Sequence, residues 1–323
     1  MKLQTLVVLS SIAWCPLMGA TAATSSPTVT GPTVSDEEAR NTMARYMDEV
    51  RNRNFTAGRR DEMRKLSKSV KYREALAYIR NRDPRVQETA LAFIISTAID
   101  GETAQLRSQA VEKFLRTQEA NLPYDQLEPL LEVRSSNFSA TSQRLLYKLF
   151  LRGTNRNNNR ANRAYIRLLG LAQVQEAKSE LQRLAASLEV DTNPQEVSER
   201  LVNLINSWWA LSSLGDDVAA DKLIAHIKAQ TDEYERGYLI RDFASTRNRK
   251  VIKALMSYVF SDFVMPADDD IAGFSRAFST AEELFKIVEG FSIPSYSEDS
   301  PNAYLQVARK WIQEHRDDFR IKL

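Results

Sequence analysis

Residues 163–188 read RAYIRLLGLAQVQEAKSELQRLAASL, and the spacing of their apolar positions decides the fold class. Leu168, Leu171, Val174, Ala177, Leu181, Leu184 and Leu188 recur at three- and four-residue steps, the period of an amphipathic helix and not the alternation of a strand. A break near Gly170 to Gln173 divides the pattern into a first helix ending in RLLG and a second reading QVQEAKSELQRLAAS, so the stretch predicts a helical hairpin. Looser copies lie elsewhere. WWALSSLGDDVAADKLIAHIKA, residues 208–229, aligns with Leu214 on Leu171, which places Ala220 on Ala177, Ile224 on Leu181 and Ile227 on Leu184. IRDFASTRNRKVIKALMSYV puts Val251, Leu255 and Tyr258 at the same positions, and ETALAFIISTAIDGETAQLRSQAVEKFL puts Ala110 and Phe114 there. The successive offsets, Ala110 to Ala177, Ala177 to Ala220 and Ala220 to Val251, are 67, 43 and 31 residues. Such irregularity is compatible with insertions on one face of a repeat array.

A small residue between larger ones lets the second helix of a pair approach its neighbour while the large residues fill the groove. One hairpin cannot bury its apolar stripe alone, so neighbours must stack. Two pieces, LGDDVAADKLIAHI and RDPRVQETAL with its Asp83-Pro84 helix start followed by Val86 and Ala90, resemble the HEAT family of helical repeats over about residues 83–260. The resemblance implies an all-α fold, a right-handed α-solenoid of stacked antiparallel helix pairs, of the kind used by scaffolds, adaptors and inhibitors. The flanks are helical by pattern alone.

The 323 residues include only ten Gly and ten Pro, with 27% charged and 43% hydrophobic, the profile of a folded helical protein. Formal charge is +2, from 44 Lys and Arg against 42 Asp and Glu, which gives no support to general nucleic-acid binding. Residues 1–23, MKLQTLVVLSSIAWCPLMGATAA, combine an early Lys, an apolar core over residues 6–14 and an Ala20, Ala22 cleavage pattern, and so read as a secretory signal peptide. No later stretch has the apolar length of a transmembrane helix, so the mature chain is expected to carry no transmembrane segment. Cys15, the only cysteine, lies in the signal, and Trp14 stands where a lipoprotein needs a small residue. Cleavage leaves no thiol for disulfides, nucleophilic catalysis or zinc. That fits a bacterial periplasm, with secretion as the alternative; the Asn54 and Asn137 glycosylation patterns carry no weight there.

Residues 24–34, polar with Pro and Gly, predict a disordered linker. A helical array is expected over 35–153. Ser35 with Glu38 forms a capping box before the stripe Met43, Tyr46, Met47, Val50. A helical region is expected from about Arg59 to Arg80, and Asp83 then caps a helix with Pro84 at its first position. Its run ALAFIISTAI, apolar nearly all round, predicts burial on more than one side. LPYDQLEPLLEV and SATSQRLLYKLFL predict two more helices, and RGTNRNNNRANR then marks a boundary. The HEAT-like array occupies 154–323. In it FVMPADDDIAGFS reads as an exposed loop, Ser279 with Glu282 as a capping box, and SIPSYSED as another loop. A helix from Pro301, with Leu305, Ala308, Trp311 and Ile312 on one side, reads as a terminal cap.

The candidate binding residues come from charge. From Arg134 to Gln175 there is no acidic residue, whereas Arg134, Arg144, Lys148, Arg152, Arg156, Arg160, Arg163 and Arg167 are basic and mostly four apart, close to one helix face. Arg forks suit carboxylate and phosphate, so the band predicts a surface for an acidic protein or for a polyanion such as lipopolysaccharide phosphate. The structural alternative is a solvated face whose partner charges come from elsewhere in the fold. Residues 262–299 hold nine acidic residues against Arg276 and Lys286, but Asp268, Asp269 and Asp270 lack the alternating ligands and distal Glu of a calcium loop, so no metal is expected. Trp208 and Trp209 diverge by about 100° on a helix. Either one is core while Trp208 serves a binding groove, or both are buried on two faces of an inner helix.

His226 and His315 stand without a partner motif, and no Gly-rich phosphate loop, H-E-x-x-H or G-x-S-x-G occurs, so neither catalytic residues nor a cofactor are expected. Asp216, Asp217, Glu282 and Glu283 are assigned to helix starts, where the dipole favours acids. Trp208 with Asp216 is similar to the aromatic and acidic pocket residues of HEAT-like DNA glycosylases, though an export signal argues against DNA repair. The resulting expectation is an exported helical-repeat scaffold or adaptor that binds another protein in the cell envelope and is not an enzyme. Two alternatives stand beside it. One is a periplasmic immunity or inhibitor protein whose aspartate loop meets a basic toxin, and the other a helical-repeat enzyme acting on a cell-envelope polymer.

Overall fold

The computed structural model describes residues 35–54, 56, 58–97, 108–112, 114–116, 130–131, 138–153, 159–190, 197–265, 274–292 and 301–322. The expected signal peptide, the linker, most of the LPYDQLEPLLEV helix, Arg134, Arg156 and the three consecutive aspartates lie outside them. Among the described residues the fold is helical apart from one short ladder and a single isolated bridge.

Helix α1 (Asp36–Asn52) starts where the Ser35 hydroxyl accepts the Glu38 N–H at 3.2 Å, with Asp36, Glu37 and Glu38 at the positive end of the dipole. Its stripe Ala39, Met43, Met47 and Val50 is buried. The helical region expected from about Arg59 to Arg80 comprises α2 (Arg59–Lys65), α3 (Lys68–Ala75) and a 3-10 turn (Leu76–Tyr78). The division falls at Leu66, which turns extended to bury its side chain, and at Ser67, whose hydroxyl accepts the Val70 N–H and opens a new helix. Helix α4 (Pro84–Thr97) is capped by Asp83, which accepts the Arg85 N–H at 3.0 Å. Val86, Ala90 and Ile94 join one apolar cluster with Met43, Met47 and Ile79, while Leu91 belongs to a second. The all-round apolar run is thus buried on two sides.

The second cluster extends from Leu91 to Phe319 and is carried by α5 (Ala140–Gly153), α6 (Asn159–Leu171), α7 (Lys178–Val190), α8 (Val197–Ser213), α9 (Asp217–Ala229), α10 (Glu233–Ala244) and α11 (Arg249–Leu255). Leu146 and Phe150 of α5 share it with Ile166 and Leu169 of α6, so apolar packing is continuous across residues 154–158. Helix α8 is its centre, packed against α6, α7 and α9.

Three helix-turn-helix units, α6–α7, α8–α9 and α10–α11, turn alike. Gln173 (φ 57°), Gly215 (φ 78°) and Arg247 (φ 53°) adopt the left-handed conformation that ends a helix. The residue after each, Val174, Asp216 or Asn248, begins the second helical segment of its unit. Counting from each corner, Ala177, Ala219 and Val251 are equivalent and buried, as are Leu181, Leu223 and Leu255, then Ala185, Ile227 and Val259. The alignment expected for residues 208–229 is therefore shifted by one residue, from Ala220 and Ile224 to Ala219 and Leu223, whereas Val251 and Leu255 fall opposite Ala177 and Leu181 as expected. DVAADKLIAHI offers two adjacent alanines and two adjacent aliphatics, which periodicity cannot separate; the corner conformation does. Neighbouring corners are tied by amides: Gln173 Nε2 donates to Ser213 O and Asn248 Nδ2 to Ser212 O, both at 2.9 Å. The C-terminal ends of α6, α8 and α10 thus lie side by side.

Beyond α11 and a 3-10 turn (Met256–Phe260), β1 (Val264–Met265) pairs antiparallel with β2 (Phe274–Ser275), so the ends of the expected loop FVMPADDDIAGFS form a ladder. Ser275 then caps α12 (Arg276–Ile287) by accepting the Phe278 N–H. Ser279, Glu282 and Glu283, expected at a helix start, consequently lie inside the helix. Helix α13 (Pro301–His315) buries Tyr304, Ala308 and Ile312, with Trp311 edge-on to Phe291 at 4.9 Å. The chain returns to α12, where Lys322 N–H donates to Ile287 O at 2.7 Å.

Candidate functional site

The structure divides the basic band. Arg144, Lys148 and Arg152 lie exposed on α5, spaced by four. Arg160 is on α6, with its side chain outside the described set, and Arg163 and Arg167 turn toward α8. Arg163 Nε donates to Asn203 Oδ1 at 3.1 Å and Arg167 Nε to Asn206 Oδ1 at 2.5 Å. Since both pairings advance together, α6 and α8 run in the same direction.

Arg167 is a hub. Its two terminal nitrogens grip both oxygens of Asp242 on α10 at 2.5 and 2.6 Å, and its guanidinium lies 4.6 Å from the Trp209 ring centroid. The Trp209 indole N–H donates to the Asp242 backbone carbonyl at 3.0 Å. The Asn206 amide nitrogen donates to Val202 O, leaving its oxygen for Arg167. A planar fork matched to a carboxylate and stacked on an indole is a geometry that lysine cannot reproduce. This charge is neutralised from elsewhere in the fold, as the structural alternative for the band required.

The face shared by these helices also exposes aromatics. Tyr238 and Tyr234 stand four and eight residues before Asp242, one and two turns along the same side of α10. They are 51% and 42% exposed, their hydroxyls 2.8 Å apart and their rings edge-on at 4.8 Å. The hydrogen bond shared with Tyr234 raises the Tyr238 hydroxyl above the ordinary phenol value. Val202, 39% exposed, stands one turn before Asn206 on α8. Asn203, Asn206, Asp242 and both tyrosines were not singled out by the sequence, because none belongs to a local motif.

Trp208 faces the other way, toward α7 and α9. Its indole N–H donates to Glu189 at 3.3 Å and Lys222 lies 5.8 Å from its ring. Trp208 is half-buried and Trp209 1% exposed. Asp216 acts as a cap, accepting from Ala219 N–H at 3.0 Å and from Gln182 at 2.8 Å. Burial pushes its carboxyl up, but these bonds and nearby Lys178 hold it below the ordinary aspartate value. Burial lowers His226, which packs near Phe243. Arg276 is 1% exposed, 2.7 Å from the Glu233 carboxylate and 5.1 Å from the Phe263 ring, and burial lowers its pKa too. Among the described residues no group of His, Cys, Asp or Glu is arranged to hold a metal ion, and no helix is long and apolar enough to cross a membrane.

No protein-family model, curated protein or solved structure matches the chain.

Proposed function

We propose that this protein is an exported helical-repeat adaptor that holds another protein in the cell envelope, in the periplasm, with its helix pairs stacked as a right-handed α-solenoid of the HEAT type. The supporting observation is the common face of α6, α8 and α10, which sets the exposed pair Tyr234 and Tyr238 beside the Arg167–Asp242 hub. Tyrosine, tryptophan and arginine carry most of the energy at protein interfaces, and charged residues are depleted at their centres. The tyrosines already restrain each other through a hydrogen bond and a ring contact, so docking has little side-chain entropy left to remove. The hub fixes the spacing of the three helices beneath them.

The test is a photo-crosslinking side chain placed at Tyr238 in cells, with Lys228 on α9 as the comparison, followed by mass spectrometry. One dominant partner captured at 238 and absent at 228 supports the adaptor reading; equal, diffuse labelling at both positions overturns it. The Tyr234→Ala, Tyr238→Ala double variant should weaken that partner's binding by about 2 kcal/mol or more, roughly thirtyfold. Export is checked separately by the mass of the mature chain, expected to begin at residue 24.

A further inference from the structure

The segment after α13 leaves the helical pattern. Residues 316–318 turn off the end of that helix, and 319–322 run beside the stretch that follows α12. Val288 and Ile321 face each other as an antiparallel pair, with Glu289 N–H donating to Arg320 O at 2.9 Å and Lys322 N–H to Ile287 O at 2.7 Å. Phe319, 3% exposed, is the one buried side chain among residues 316–322, and the Arg249 guanidinium lies 5.1 Å from its ring centroid. Cations of the α10–α11 unit hold the rest: Arg247 Nη1 donates to Lys322 O at 3.1 Å, Arg249 Nη2 to Asp317 O at 2.6 Å, and Lys253 to the Asp317 carboxylate. We propose that this segment is a removable clasp, filling from within the chain a slot that also takes an extended segment of a partner protein.

The receiving side belongs to the array. Val288 is 0% exposed, and the α10–α11 corner is tied to α8 by the Asn248 amide on Ser212 O. The holding side is slight by comparison. One aromatic ring anchors it, and the Lys253–Asp317 pair is 45% and 83% exposed by side chain, a class of pair that adds little. A segment with so few buried apolar contacts opens locally at lower cost than the helices beneath it. Opening frees the Ile287 carbonyl, the Glu289 N–H and the seat of the Phe319 ring together. Main-chain bonds along such an edge give affinity to an added strand, and side-chain seats beside it give choice. The occupant now in place defines the partner chemistry: an aromatic and a β-branched residue two apart, with an acid two before the aromatic, as in Asp317, Phe319 and Ile321. The slot lies at the corner end of α10, whereas Tyr234 stands at the start of that helix, so its test uses no residue of the adaptor face.

The experiment uses the chain from residue 24 onward, which has no cysteine of its own, and a fluorescent peptide of residues 316–322, RDDFRIK. The same peptide with Ala in place of Phe serves as comparison. Phe319→Ala in the protein removes the anchor of the clasp, and the peptide should bind this variant at least about tenfold more tightly than the parent. Val288→Cys with Ile321→Cys closes the slot. The two positions form a non-hydrogen-bonded antiparallel pair, whose side chains come close enough for a disulfide. The oxidised form should lose peptide binding, and reduction should restore it to the parental level. Hydrogen exchange guards against misfolding: in Phe319→Ala the amides of Glu289 and Lys322 should exchange faster, while those of α8 and α10 keep the protection of the parent. The proposal is overturned if parent and Phe319→Ala bind the peptide equally or not at all, if the Ala peptide binds as well, or if α8 and α10 lose protection together with the clasp.

Discussion

A β-carbon on Gly170 would stand 2.8 Å from the Cα of Ala210, so the backbones of α6 and α8 meet at this pair. The Trp209 ring is next, 3.0 Å away. The break expected near Gly170 to Gln173 falls just past Leu171, at the left-handed Gln173, so Gly170 itself sits in the last turn of α6 and lets α8 come this close. Gly170→Ala would gain about 1 kcal/mol in helix propensity. Overpacking against a backbone that cannot rotate aside costs more, about 1–3 kcal/mol. The expected outcome is a lower urea midpoint with an unchanged slope; a variant about 1 kcal/mol more stable than the parent, showing the propensity gain alone, would show that α6 and α8 are not in contact here.

The Arg167–Asp242 pair links helices 75 residues apart in sequence and is only partly exposed, 21% and 35% by side chain. Arg167→Met and Asp242→Asn, singly and together, form a double-mutant cycle. Bidentate geometry and partial burial place the coupling energy at about 1–2 kcal/mol, above the median exposed pair. Much of that should persist at high salt, because the pair is only partly exposed and rests against the buried Trp209 ring. Additive single effects would reduce the pair to a surface contact.

Asp216 gives a pH signature. Its native carboxyl titrates below the ordinary value, so its stabilisation is fully present above the unfolded pKa of about 3.9 and is lost as pH falls through the lower native value. Asparagine also caps well but carries no charge. Asp216→Asn should therefore cost about 1 kcal/mol at neutral pH, and the gap between variant and parent should narrow as the pH is lowered to about 3. Denaturation midpoints at the two pH values check this, and a gap that stays constant would remove the carboxylate charge from the account.

What the sequence made legible was local. Ser35 and Asp83 cap where they were expected because a capping side chain and its N–H lie within three residues of each other. The two-sided burial of α4 was implied by its unbroken apolar run. The candidate site needed partners that no local pattern marks: Asp242 for Arg167, and Glu233 for the buried Arg276, 43 residues away. The divergence of Trp208 from Trp209 was readable from 3.6 residues per turn. Which of them joins Arg167 depended on where α10 packs.

The shifted register can be tested directly. From the corner residues, Leu181, Leu223 and Leu255 are equivalent and 0%, 0% and 1% exposed, whereas Ile224, which the sequence alignment placed opposite Leu181, is only partly buried. Truncating a fully buried leucine removes its transfer energy and leaves a cavity that packed neighbours fill incompletely, about 2–5 kcal/mol. At Ile224 the side chain borders solvent, so water replaces the lost contacts and the cost should be about 1 kcal/mol. Leu223→Ala should thus be clearly the more damaging of the two, although the residues are adjacent and of similar size. Urea unfolding of both variants decides between the registers: the opposite order would restore Ile224 to the core and move the α8–α9 corner by one residue.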